Sequence, residues 1–292
     1  MEKIKLITDS ASDITLEQER ENDITVLNYS FLLDEKPYES RVDLDNEEFY
    51  RLLESAASLP STSQITVFRF AELYEEAAAA GYTDLIVTLI NRDASATYGN
   101  AEAAREQFYE AHPEYRDHFC IRLIDSRTYT MGYGYAVLAA AELVREGKSA
   151  DEVEAFIRDW LSHVLIYFAP YTLKYAKKSG RIPGAVAVVG EALGIKPIMR
   201  ICDHKIDNSE MIRGDKKLIP KITEKVLAEI EPGTPYIILN GNNPADGDRL
   251  AELLSDALGY APVLRTEIGS IIASHAGPKV VGAVFRSKNA NY

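Results

Sequence analysis

Cysteine is scarce in this sequence: Cys120 and Cys202 stand far apart, and no CxxC spacing occurs. Buried thiols in a reducing compartment are the expectation, and a Cys/His zinc site has no support. Long apolar runs are missing as well. The opening residues MEKIKLITDS hold no apolar stretch suited to a signal peptide, and no uninterrupted apolar span reaches the ~20 residues a bilayer requires. A cytoplasmic location is expected on that basis. Positive charge is outnumbered, with 32 Lys and Arg against 45 Asp and Glu, a formal net charge of −13 and an isoelectric point near 5.0. That balance argues against nucleic acid or an anionic membrane as the main partner. Signature motifs are absent too: there is no GxGxxG, no GxxxxGK followed by Ser or Thr, no GxSxG and no HExxH. An aspartate pair of the haloacid type fails because position 11 is Ala.

What is present is an alternation of short β-rich runs and amphipathic helical patterns. KIKLI (3–7) reads as a strand that stops at TDSASD, and TLEQE follows with the capping-box spacing of Thr15 and Gln18. ITVLNYSFLL (24–33) reads as a second strand, with a helical pattern at 45–57. DLIVTLI (84–90) is a continuous apolar strand of the kind buried on both faces of a parallel sheet. A helix from SATYGNAEAAREQFYEA, the strand FCIRLID (119–125) and a helical pair split by Gly147 and capped by Ser149 come next. This order predicts an α/β sheet, whose ligands gather at the carboxyl ends of its strands.

The second half reads as mixed. YTLKYAKKSG (171–180) is a short helix stopped by Gly180, GAVAVVGEALG (184–194) another, and the run from Lys196 to Ile212 a hairpin turning near Asp203-His204-Lys205. A long helix at 216–230 leads to the strand YIILN, the helix GDRLAELLSDALG and the strand PVLRTEI. IIASHAGPKVVGAVFR reads as an apolar β-type stretch broken by a polar turn. A chain of 292 residues is long for one core, so two domains are expected, 1–165 and 166–292, although no linker composition marks the boundary.

Four polar loops stand out: TDSASD (8–13), STSQ (61–64), NRDASAT (91–97) and SHAGP (274–278). Asp9 and Asp13 could bind a cation, but hydroxyl and carboxylate loops after a first strand more often cap the next helix. Ser95 opens a helix after a buried strand, where free N–H groups suit a carboxylate or a phosphate; a plain N-cap accounts for it equally well. His275 lies in an apolar region, the usual setting of a satisfied core histidine. Lys178 and Arg181 sit at a helix end, where cations favour the dipole.

Taken together, ITDSASDI, STSQ, ASATYGNA, IDSRTYTMGYG, LKYAKKSGRI, ALGIKPI and IGSIIASHAGPKVVGAVF run nearly end to end. In that order they resemble the DegV family of bacterial fatty-acid-binding proteins, which includes the FakB-type subunits of fatty acid kinase. The resemblance implies two α/β domains, with a parallel-rich sheet in the first and a mixed sheet with helices in the second. A long-chain fatty acid would lie in a buried apolar tunnel at and beyond the domain junction, its carboxylate at the junction. Carried over residue by residue, the carboxylate ligands are Thr62, Ser95 and His275, with Ser63, Arg92, Ala96, Ser274 and Gly277 as lining. The resemblance implies no catalytic residue, no metal and no cofactor besides the bound fatty acid.

The chain departs from the family pattern in places. Asn91-Arg92-Asp93 stands where a Ser-Ser pair is usual, Ala96 where glycine is, and Ile65 where proline is. Arg92 would either add a cation for the carboxylate or face solvent and pair with Asp93. The expected function is a carrier, not an enzyme by itself, that presents its ligand to a separate ATP-binding kinase subunit for acyl-phosphate formation. Lys174, Lys177, Arg181 and Arg200 are the candidate docking cations, ordinary solvated charge being the plainer account of them. Transient membrane contact would serve ligand exchange. The competing reading is a small-molecule enzyme related to dihydroxyacetone kinase, with His275 holding substrate covalently.

Overall fold

The computed structural model describes residues 2–181 and 194–292. In chain order, β1 (Ile4–Asp9) leads through a 3-10 turn to α1 (Leu16–Glu21) and β2 (Ile24–Leu27). The predicted capping box is formed: Thr15 Oγ1 accepts from Gln18 N, and Gln18 Oε1 accepts from Thr15 N. Next come β3 (Ser30–Leu33), β4 (Lys36–Glu39), α2 (Asn46–Ser55), β5 (Ser61–Ser63) and α3 (Val67–Ala79). β6 (Asp84–Leu89), α4 (Thr97–Ala111), β7 (Cys120–Asp125), α5 (Met131–Arg145) and α6 (Ala150–His163) follow. The remainder is β8 (Val164–Pro170), α7 (Lys174–Ser179), β9 (Ile195–Cys202), β10 (Lys205–Arg213), α8 (Leu218–Glu229), β11 (Tyr236–Asn240), α9 (Pro244–Leu258), β12 (Leu264–Glu267), α10 (Ser270–Ala276) and β13 (Val280–Arg286).

The chain divides into two compact units, Met1–Ser30 with Thr62–Leu161, and Phe31–Ser61 with Ser162–Tyr292. A single cut near 165 misses the excursion at 31–61. Its allegiance comes from long-range bonds that leave no trace in composition: Tyr50 OH donates to Ile268 O, and Asn242 Nδ2 donates to Glu54 Oε1 at 2.8 Å. The chain crosses between units at β3 and β5, two strands of a three-stranded sheet ordered β4-β3-β5.

The first unit is built on a parallel sheet ordered β2-β1-β6-β7. Every residue of β6 is buried, as its unbroken apolar run predicts for a central parallel strand. All four strands end on one edge, and the loops beyond that edge are buried although polar. Asp9, Ser12, Asn91, Thr97 and Ser126 have essentially no exposure. Gly134 permits this crowding, since a Cβ there would stand 2.3 Å from Ser12 O.

The second unit carries a six-stranded sheet ordered β10-β9-β8-β13-β11-β12, parallel only between β11 and β12. Its core is apolar, with Ile198, Ile222, Ile238, Leu250 and Phe285 fully buried. The hairpin forms where predicted, and Asp203 and His204 take left-handed φ values of 44° and 68° to turn it. β8 reads VLIYFAP and is buried throughout; it occupies the stretch where the sequence reading put only a boundary.

Three expectations change at the level of elements. The strand expected over 24–33 is interrupted at Asn28-Tyr29 and becomes β2 and β3. STSQ, read as a loop between helices, contributes the short strand β5. In IIASHAGPKVVGAVFR only the second half is a strand; Ser270–Ala276 is helical, with Ser270, Ile271, Ala273, Ser274 and Ala276 buried around most of its circumference. The helix expected at 184–194 lies outside the described residues apart from Gly194.

Candidate functional site: a hydroxyl cluster at the carboxyl edge of the parallel sheet

The loop from β6 to α4 is held rigidly from below. Asp9, at the end of β1, accepts from Ile90 N at 2.8 Å through one carboxylate oxygen. Its other oxygen accepts from Tyr133 OH at 2.6 Å and Ala11 N at 3.0 Å. Burial pushes the Asp9 carboxyl up to about 6, while these three donors pull the other way. Asn91 N donates to Thr128 O at 3.2 Å, and Arg92 N donates to Asp125 Oδ1 at 3.1 Å. Asp13 accepts from Thr130 Oγ1. The aspartates of TDSASD thus brace loops of the unit.

Above this brace, three hydroxyls form a triangle. Tyr29 OH lies 2.8 Å from Thr97 Oγ1 and 3.2 Å from Ser95 Oγ, and the last two are 3.0 Å apart. Ser95 is half-buried, and it precedes α4, whose N-cap position is Ala96 with no side-chain cap. The segment that carries STSQ is tied to the same point: Ile65 N donates to Thr97 Oγ1 at 3.1 Å, and Asn100 Nδ2 donates to Ile65 O at 2.7 Å. The structure therefore gathers Ser95 and the end of the Thr62 segment at one helix N-terminus. Thr62 is half-buried on β5, while Ser63 and Ala96 are exposed. Tyr29 and Thr97 escaped the sequence reading. The Ser-x-Thr spacing of 95 and 97 was a usable signal for Thr97; Tyr29, inside an apolar run, reads as core.

Arg92 is already engaged. Its guanidinium stacks 4.8 Å from the Tyr98 ring centroid and lies 3.4 Å from Glu102. Glu102, its partner, lies one turn into α4.

His275 belongs to the second unit, on α10, which packs against α7. Its imidazole is largely buried, and burial, assisted by the nearby Arg181 charge, pushes it down to about 4. Ser274 Oγ donates to Ser270 O at 2.7 Å. Gly277 has φ 92°, and a Cβ there would meet the Tyr175 ring at 2.8 Å, so both conformation and space demand glycine. Among the docking candidates, Lys174, Lys177 and Arg181 are exposed, with Arg181 also donating to Ser179 O at 2.9 Å. Arg200 is different: it lies 3.4 Å from Glu229, which also accepts from Tyr167 OH.

The second unit also has an open cleft of about 900 Å³ lined by Asp45, Glu47, Glu48, Glu54 and Glu267, with Arg51 as its one cation. Its charge repels a carboxylate, so it is no alternative head-group site. Among the described residues, no helix is long and apolar enough to cross a membrane, and no group of three or more His, Cys, Asp or Glu is placed to hold a metal ion.

Comparison with known proteins agrees with this architecture. The family described as "Uncharacterised protein, DegV family" matches residues 3–288, and the chain belongs to that family. A DegV domain-containing protein of Clostridium perfringens is 31% identical over 284 residues, covering 97% of this chain and 98% of its own. Among solved structures, a fatty-acid-binding DegV family protein of Thermus thermophilus superposes with a TM-score of 0.86 at 27% identity, covering 98% of this chain and 99% of that one. A fatty-acid-binding DegV family protein of Streptococcus agalactiae gives 0.84 at 26% identity, covering 99% and 100%.

Proposed function

We propose that this protein binds a long-chain fatty acid, with Thr62 and Ser95 as ligands of the carboxylate, and presents it to a separate ATP-dependent kinase subunit for acyl-phosphate formation. The observation that carries the reading is the hydroxyl cluster: Ser95 is anchored by Tyr29 and Thr97 at the N-terminus of α4, where the Thr62 segment is bound. A carboxylate taken out of water is costly unless several donors meet it, and a helix N-terminus adds partial positive charge. The fatty-acid-binding relatives from Thermus thermophilus and Streptococcus agalactiae support the ligand class. Each methylene of the acyl chain buried in an apolar interior contributes about 0.8 kcal/mol.

His275 enters as a further carboxylate ligand through the family resemblance, and its depressed basicity suits a neutral donor. Ser63, Arg92, Ala96, Ser274 and Gly277 are assigned as surroundings of the head group. Lys174, Lys177 and Arg181 are assigned to docking of the kinase subunit. Arg200 is the weaker candidate because Glu229 already neutralises it.

Native mass spectrometry of the protein purified from a bacterial host, with lipid analysis after denaturing extraction, tests the ligand. A stoichiometric fatty acid lost in a Thr62→Ala/Ser95→Ala variant is the expected result. An empty protein that also refuses added oleate overturns the proposal. Addition of candidate kinase subunits with ATP then tests presentation, by hydroxylamine trapping of acyl phosphate.

A further inference from the structure

We infer that Asp9 is a positioning residue whose ionised side chain clamps the loop that carries Ser95, and that protonation opens the clamp, so that acid weakens the hold on a fatty acid. This deepens the fatty-acid reading above and rests on it.

Asp9 acts through the chain on either side of it. At the end of β1, its Oδ2 accepts from Ile90 N at 2.8 Å, and its Oδ1 accepts from Tyr133 OH at 2.6 Å and from Ala11 N at 3.0 Å. Ile90 is the base of the loop that reaches Ser95 five residues later. The residue after Asp9, Ser10, accepts from Tyr29 N at 3.0 Å, and Tyr29 OH lies 3.2 Å from Ser95 Oγ. Two segments that meet at Ser95 are thus pinned to the end of β1, one by the Asp9 carboxylate and one by the Ser10 hydroxyl.

All three partners of Asp9 donate, which suits an ionised carboxylate, an acceptor at both oxygens. Asp9, Ala11 and Tyr133 have essentially no exposure, so bulk water is not at hand to replace a lost bond. A proton on Oδ2 would face the Ile90 amide, which has nothing to accept with. A proton on Oδ1 would face the Ala11 amide, with the same limit, or Tyr133 OH, which would have to turn its own proton elsewhere. In either placement Ile90 N loses a charged acceptor, and charge-assisted bonds are roughly twice as strong as neutral ones. Neutral Asp9 therefore holds the base of the Ser95 loop more weakly.

Burial pushes the Asp9 carboxyl up to about 6 against the pull of its donors, which brings the change of state toward neutral pH. Tyr133 from α5 and Tyr29 from the segment after β2 face it. Burial and the Asp9 charge hold both phenols well above their ordinary range, so they keep their protons throughout. Asp13, at the end of the 3-10 turn, adds its charge at Tyr133. The β6–α4 loop meets Asp9 with the Ile90 amide. Loss of the Asp9 charge also relieves repulsion of an anionic ligand, which by itself would strengthen binding in acid. The sign of the response therefore separates a clamp from a field.

The test follows the oleate affinity of the delipidated protein from about pH 7.5 to about pH 5.5, a window above the titration of His275. Asp9→Asn keeps the shape of the side chain and removes its charge, and the ratio of wild-type to variant affinity cancels the titration of oleate itself. At pH 7.5 the wild type is expected to bind about tenfold more tightly, the worth of one charge-assisted hydrogen bond. With the carboxyl near 6, that ratio narrows to about threefold at pH 5.5. A ratio that stays constant with pH marks a purely structural role, and a variant that binds oleate more tightly marks a field; either result overturns the clamp. Tyr133→Phe removes one donor and leaves the carboxyl, so it should move the midpoint of the pH profile upward, and an unmoved midpoint overturns the clamp as well. If Asp9→Asn does not fold, Tyr133→Phe decides alone. A wild type that takes up no oleate at pH 7.5 overturns the fatty-acid reading itself, which is a different result from a wild type that binds oleate and shows no such profile.

Discussion

The two units bury opposite kinds of surface. The first fills the ends of its strands and the space beyond them with Asp9, Ser12, Asn91, Thr97 and Ser126, which hydrogen-bond within their own loops and, at Asp9, Asn91 and Thr97, to a neighbouring segment as well. The second fills its centre with Ile198, Ile222, Ile238, Leu250 and Phe285, whose side chains carry no hydrogen-bonding group. Apolar packing gives affinity for collapse without direction, whereas a hydrogen-bonded polar layer costs more to assemble and specifies the position of each loop. A head-group site calls for the second kind of interior and an apolar interior for the first.

Large-to-small truncation tests the contrast most strongly. Phe285→Ala, in the middle of the six-stranded sheet, is expected to lose about 3–5 kcal/mol of unfolding free energy in a urea titration. Tyr133→Phe in the first unit removes only a hydroxyl, but it leaves buried Asp9 with one donor fewer. The expected loss is about 1–3 kcal/mol, accompanied by a further rise in the Asp9 pKa. Should Tyr133→Phe prove as costly as Phe285→Ala, the polar layer would be carrying stability as well as position.

The units should also answer pH with opposite signs. Asp9 is raised from 3.8 to about 6 in the folded protein, so the native state holds its proton more tightly than the unfolded chain. That contribution is fully present below pH 3.8 and is lost as pH rises through about 6, a change of about 3 kcal/mol. His275 is lowered from 6.5 to about 4, so the unfolded chain binds its proton more tightly. Its contribution is present above pH 6.5 and is lost as pH falls through about 4, a change of about 3 kcal/mol. In the wild type the two slopes oppose each other between pH 4 and 6. Urea titrations across that window should show Asp9→Asn gaining slope upward with pH relative to wild type, and His275→Gln gaining slope downward. Parallel displacement of both variants would show that neither group titrates as its surroundings dictate.

Much of this was legible from periodicity alone. DLIVTLI and YIILN read as buried strands, the Asp203-His204 turn as a hairpin and Thr15-Gln18 as a cap, because each is settled by neighbours in sequence. The excursion at 31–61 was not, since it is decided by Tyr50 and Asn242 bonding across some two hundred residues of chain. The helix α10 was missed for a related reason. Ile271-Ile272 favours a strand in isolation, and the burial of the small residues Ser270, Ala273, Ser274 and Ala276 in a short helix overrode that preference. At the site, Ser95 was visible as a serine before a helix, whereas the hydroxyls that orient it were not, because Tyr29 reaches it only through the fold.

The smallest expected effect sharpens the picture of the head group. Arg92 is the cation nearest in sequence to Ser95, and a free guanidinium there would be the obvious counter-charge for a carboxylate. It is instead half-exposed, stacked on Tyr98 and 3.4 Å from Glu102. An exposed pair of this kind contributes about 0–1 kcal/mol. To reach a ligand, the guanidinium would have to surrender both contacts for a gain that solvent screens. Arg92→Ala is therefore expected to change oleate affinity by less than about threefold, and the loss should shrink further in 0.5 M salt. A loss of about thirtyfold or more would mean that the guanidinium leaves Tyr98 when the ligand binds. The polar edge of the first unit would then hold a carboxylate by charge rather than by hydroxyls alone.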